Sequence, residues 1–153
     1  MSHRVFIKWL WLPGLLSLCA LPALAQPAWT VQASDYQFSM NVLAQVYVGG
    51  QPVQGSGHLL GGFYQGTVRG SATPLPVNGQ SCYFLTLFSN AYSGDPITFR
   101  VYLSTGGGQL YESSDTVEFG HLKVLGSVNA PYALHFGPSD RPLIVSAAAA
   151  DYT

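Results

Sequence analysis

Apolar and polar residues alternate with period two along most of this chain. Tyr36, Phe38, Met40, Val42, Ala44, Val46 and Val48 occupy every second position, with Gln37, Ser39, Asn41 and Gln45 between them. Successive side chains of an extended backbone point to opposite faces, so this run predicts a strand with one buried face. Gly49-Gly50-Gln51-Pro52 ends it. Residues 57–63 and 66–71 predict a hairpin turning at Tyr64-Gln65, and Asn78-Gly79 is a favoured pair for a second tight turn. Ser93-Gly94-Asp95-Pro96 and Thr105-Gly106-Gly107-Gly108 read as further turns. Between them Ile97, Phe99, Val101 and Leu103 share one face of a strand. Thr98, Arg100 and Tyr102 share the other, which predicts a solvated side.

Residues 29–33 predict a short first strand, and residues 82–88, 109–112, 116–119, 132–136 and 143–147 predict others. No helical period is sustained, and the alanines at 147–150 are too few for a stable helix. About eight to ten short strands with turns at this spacing predict an all-β fold. The expected form is a single antiparallel two-sheet β-sandwich, immunoglobulin-like in architecture, over residues 26–136. Residues 137–153 form a C-terminal extension, where Leu143-Ile144-Val145 has the composition of one more strand after Gly137, Pro138 and Pro142.

The first 25 residues break the alternation. His3, Arg4 and Lys8 precede an apolar run from Trp9 that closes on Ala23-Leu24-Ala25, the small-x-small pattern a signal peptidase accepts. The run is shorter than the roughly 20 apolar residues that span a bilayer, and Pro13 and Pro22 weaken it as a helix. Leu18 before Cys19 argues against lipidation. Cleavage after Ala25 and export, to the medium or the cell surface, are therefore expected, with no membrane span left. The 153 residues less this leader leave 128, enough for one domain with a real core.

Removing the leader changes the composition. Cys82 becomes the single cysteine, so no intrachain disulfide is possible, and Trp29 the single tryptophan. Arg69, Arg100, Lys123 and Arg141 stand against seven acids, a net charge of −3. Nucleic acid needs a basic footprint and is not an expected partner.

Several segments, taken in order, carry a resemblance. Trp29, Tyr36 and Met40 are followed by His58-Leu59-Leu60-Gly61-Gly62-Phe63 and Val68-Arg69-Gly70. Phe-Leu-Thr-Leu-Phe-Ser-Asn at 84–90 and Ile97-Thr98-Phe99-Arg100-Val101-Tyr102 come next, and Gly126-Ser127-Val128-Asn129-Ala130-Pro131-Tyr132-Ala133-Leu134 closes the series. This order resembles a β-sandwich module that recurs in secreted and cell-surface proteins of Bacteroidetes and related bacteria. It covers about residues 29–134. His58 stands where the family has Asp, and Val68 where it has Cys, so an acid or thiol role there is lost. The resemblance implies a structural or recognition module without a defining activity.

Chemistry-bearing residues are few. Arg69, alone among apolar residues and glycines, is expected to pair structurally with an acid such as Asp115 or Glu118; its fork of donors also suits a carboxylate or sugar hydroxyl. His58, His121 and His135 are spaced by 63 and 14 residues without a cysteine pair, which favours surface or turn histidines over a zinc site. Glu112, Asp115 and Glu118 lack the Asp-x-Asp-x-Asp-Gly pattern of a calcium loop, so a solvated loop is favoured and no cofactor is expected. Cys82 between Ser81 and Tyr83 reads as a small core residue, with a nucleophile or an intermolecular disulfide as its functional alternative. All nine tyrosines follow the leader. Tyr64, Tyr92 and Tyr102 fall at a turn, a loop and a polar sheet face, where rings stack on sugars or pack on partners, though tyrosine also simply suits half-buried strands.

These readings converge on a secreted, non-enzymatic module with a surface-structural or adhesion role, whose partners are other surface proteins or glycans. A carbohydrate- or peptide-binding module using Tyr92, Arg100 and Tyr102 is the alternative. A hydrolase built on Glu112 and Glu118 is the weaker one, because no acid, base and nucleophile share a spacing.

Overall fold

A computed structural model describes residues 23–137. The strands are β1 (Phe38–Val48), β2 (Gln51–Pro52), β3 (Leu59–Tyr64), β4 (Thr67–Ala72), β5 (Pro74–Val77), β6 (Gln80–Ser89), β7 (Ser93–Leu103), β8 (Gln109–Gly120), β9 (Val124–Leu125) and β10 (Tyr132–Phe136). Besides them the described residues hold only two single 3-10 turns, Ala33–Asp35 and Thr105–Gly107. The fold is all-β.

Two ladders make up the molecule. One runs β4-β3-β7-β8, the other β10-β1-β6-β5, and a single pair, Phe136 opposite Ser113, joins β10 to β8. The ten strands thus form one mixed sheet, nearly closed into a barrel-like shape. The opposite seam, between β4 and β6, closes by backbone contact: a Cβ on Gly70 would fall on the Thr86 carbonyl oxygen. Only glycine allows that approach. Beyond the seam the last strand of the path, β5, is an edge whose Pro74 and Pro76 offer no N–H.

The interior is the alternation made solid. Met40, Val42, Ala44 and Val46 of β1 meet Tyr83, Leu85 and Leu87 of β6, then Ile97, Phe99 and Val101 of β7 and Leu134 and Phe136 of β10. The two strongest turn signals form as tight hairpins. Asn78-Gly79 joins β5 to β6 with φ of 50° and 77°, and the β3–β4 turn uses Gln65 and Gly66, one residue beyond the expected pair.

Several expectations are corrected. The sheet is mixed, because β9 and β10 both run parallel to β1, end to end along one of its edges. Turn residues specify only hairpin neighbours, and the short links from Gly120 to Val124 and from Leu125 to Tyr132 carry no signal for a parallel return. Residues 29–33 are not a strand; Trp29 is held by Ser71 Oγ, which donates to its carbonyl, and Ala33–Asp35 coil into the 3-10 turn. Ser93 to Pro96 open β7 through a bulge rather than turning. The two strands expected at 109–112 and 116–119 are one, β8, bulged at residues 113–115. That bulge is useful: Ser113 Oγ donates to the His135 carbonyl and an Asp115 carboxylate oxygen accepts from the His135 N–H, so side chains stitch β8 to β10 where the ladder lapses. Residues 1–22 and the strand expected at 143–147 lie outside the described residues.

Candidate functional site

The two outer faces of the sheet differ in cover. On the β3-β7-β8 face, Leu59, Gly61 and Phe63 lie beside Tyr102, Arg100 and Thr98. Trp29 meets Phe63 edge-on at 5.1 Å and occupies the space a side chain on Gly61 would need. Arg100 lies over the Phe63 ring at 4.8 Å and pairs with its cross-strand neighbour Glu112 at 3.5 Å. Tyr102 is only 6% exposed, packed with Leu59, Leu110, Leu24 and Trp29, and its hydroxyl donates to the Leu24 carbonyl. The solvated side expected here is covered, because a segment that belongs to no strand crosses it. Arg100 and Tyr102 are therefore neighbours, but Tyr102 presents no free ring.

On the β6-β1-β9 face nothing comparable lies across the strands. Phe84 is 48% exposed and Val124 64%, with Val128 beside them on the β9–β10 connection. They rim a groove of about 560 Å³ whose floor is Asn41 and Leu43 of β1 and Thr86 of β6. Thr86 Oγ1 donates to Asn41 Oδ1, leaving that polar pair in an otherwise apolar trough. The far wall is rigid: Ser127 and Ala130 bond each other across their turn, and Gly126, at φ 75°, lies against the Leu43 carbonyl. A carbonyl-hugging glycine and a bonded turn keep the rim in place. Large apolar side chains at this exposure, gathered on one face, mark an interaction surface more often than scattered ones do.

Tyr92 belongs to neither face. It stands at one end of the barrel, 64% exposed, edge-on to Phe38 at 5.5 Å and beside the His121 ring at 5.4 Å. Arg100 and Tyr102 are not with it.

Arg69 takes a different seat from the one expected. Asp115 is engaged at His135, and Arg69 lies over the rings of Tyr36 and Tyr64, at 4.9 and 5.2 Å. Tyr36 in turn stacks on Phe88 of β6, so the guanidinium bridges the seam through π faces rather than through a carboxylate. No sequence rule points to that, since Tyr36 and Arg69 meet only when the sheet closes.

His58 is buried, not at the surface. Its Nδ1 accepts from the Ser104 N–H and its Nε2 donates to the Gln54 carbonyl, tying the 54–57 loop to the end of β7. His135 stacks on Tyr47, and among the described residues no three His, Cys, Asp or Glu side chains gather as a metal site. Glu112 and Glu118 lie on one strand, roughly 15–20 Å apart at the usual rise per residue. Cys82 is buried, and burial pushes its thiol above the ordinary value, away from the thiolate a nucleophile needs.

No known family, curated protein or solved structure matches this chain. The missed feature is the groove: its walls, Phe84 and Val124 to Val128, are some forty residues apart in sequence, and only the strand order brings them together.

Proposed function

We propose that this chain is an exported, non-enzymatic β-sandwich module, immunoglobulin-like in architecture, with a surface-structural or adhesion role. The observation that supports it is the uncovered groove between Phe84 and Val124–Val128, which suits the apolar side chains of a protein partner on a cell surface. Its polar pair, Asn41 and Thr86, gives such a partner a fixed hydrogen-bonding point without offering an acid, base or nucleophile.

Export is checked by the mass of the secreted chain, which should begin at Gln26. Adhesion is checked by surface retention: Phe84→Ser with Val128→Ser should abolish it while the fold persists. Unchanged retention overturns the groove reading.

A second reading, a carbohydrate- or peptide-binding module, draws on Tyr92, whose exposed ring beside Phe38 and His121 suits stacking on a sugar. A glycan-array signal lost in Tyr92→Ala would move it ahead. The hydrolase reading asks for two carboxylates about 5–9.5 Å apart across a cleft, and Glu112 and Glu118 share a strand instead.

A further inference from the structure

Leu24 is built into the fold, yet it lies inside the expected leader. Its N–H donates to the Gly107 carbonyl at 2.7 Å, and its carbonyl accepts from the Tyr102 hydroxyl at 2.8 Å. Its side chain packs on Leu59, Tyr102 and Leu110. Gly108, at φ 90°, has no room for a Cβ because the Leu24 carbonyl and the Tyr102 hydroxyl fill the space. These features make a slot for one aliphatic residue of an extended segment, gripped at both backbone groups. Cleavage after Ala25 empties it, stranding a hydroxyl and a carbonyl over an apolar floor.

We propose that after cleavage the slot is refilled by the chain's own C-terminal segment Leu143-Ile144-Val145, an aliphatic side chain of which replaces Leu24. This rests on the export reading above. Direction is the first argument. Phe136 sits opposite Ser113 in antiparallel register, so the described chain ends at Gly137 beside the edge of β8 that runs back through Glu112 to Leu110 and the slot. Among the described residues no strand pairs with that edge of β8 between Gln109 and Glu112. Reach is the second. Leu143 lies six residues beyond Gly137, up to roughly 20 Å of extended chain, whereas Leu110 lies three residues along β8 from Ser113, about 10 Å. Composition is the third: the segment offers three consecutive aliphatic residues after two prolines, where a chain without a partner risks association.

Trp29 packs beside the slot and is the single tryptophan after residue 25, so its fluorescence reports occupancy. Chains starting at Gln26 are compared: full length to Thr153, a truncation ending at Arg141, and a full-length variant with Leu143→Ser, Ile144→Ser and Val145→Ser. Acrylamide quenching of Trp29 should rise about twofold in both variants, since quencher access follows local exposure. A synthetic peptide of residues 141–147 should reverse the rise in the truncated chain. The serine variant keeps the tail's length, so loss of fold in the truncation does not decide the matter. Equal quenching in all three chains overturns the exchange while leaving export standing. Protection that grows with protein concentration, alongside oligomers in light scattering, gives the slot to a neighbouring copy and overturns the intrachain assignment. A secreted chain that retains Leu24 overturns export and exchange together.

Discussion

The β3-β7-β8 face and the β6-β1-β9 face are built from the same alternation, yet one is covered and the other bare. Phe63 and Phe84 make the contrast concrete. Both are outward-pointing phenylalanines in strands; Phe63 is 4% exposed beneath Trp29 and Arg100, whereas Phe84 stands half out of a groove. Period two says which residues share a face, and nothing about what lies over that face. Cover comes from segments with no period at all, here residues 24–29. A face left without cover in a small domain with a complete core is where a second molecule has something to gain.

The largest expected effect tests the covered face. Gly61→Val drives a branched side chain into the Trp29 ring and should cost about 3 kcal/mol in urea unfolding. On the bare face, Thr86→Val loses one hydroxyl contact, to its cross-strand partner Asn41, and should cost far less. Equal costs would erase the distinction between the faces. Next, Trp29→Ala removes the cover itself and should cost about 2 kcal/mol, less than a wholly buried tryptophan because Trp29 is half-buried.

Tyr83 sharpens the contrast from inside, one residue before Phe84. It is fully buried, and its hydroxyl finds no hydrogen-bond partner among the described residues. Tyr83→Phe should therefore stabilise the domain, by about 1 kcal/mol. Burial also pushes the Tyr83 hydroxyl above its ordinary value of 10.0. The folded state holds a proton that the unfolded chain releases, so its contribution is complete below pH 10 and is lost as pH climbs above it. Melting points measured from pH 8 upward should fall less steeply at the alkaline end in Tyr83→Phe. The smallest effect belongs to the bare face: Phe84→Ser should change stability by no more than about 0.5 kcal/mol. A large loss there would mean the groove is core, not surface.

What the chain declares in advance follows from how local each signal is. β1 is legible because Phe38, Met40, Val42, Ala44, Val46 and Val48 hold every second position, although Leu43 and Tyr47 interrupt the polar side, and the β5–β6 hairpin because Asn78-Gly79 accepts the positive φ its turn needs. The parallel return of β9 and β10 is not legible, since no residue between Gly120 and Tyr132 encodes which edge of β1 it will meet. Glycines show the same limit. Gly61, Gly62 and Gly70 fall inside expected strands with no stated task, and each makes room: for the Trp29 ring, for Leu87 and for the Thr86 carbonyl. Tyr92 is legible as an exposed ring because it falls in a loop, whereas the burial of Tyr102 depends on Leu24, 78 residues away.

The two prolines of β5 have a consequence for assembly. Growth of a filament by strand addition requires two complementary edges on every subunit, one to give and one to receive. Here the β5 end has no N–H to give at Pro74 and Pro76 and keeps only carbonyl acceptors there, and the β4 end abuts Thr86. An incoming strand therefore finds no N–H row along the end strand β5. A surface layer built from this domain would draw less on that edge than on its faces, where Phe84 stands.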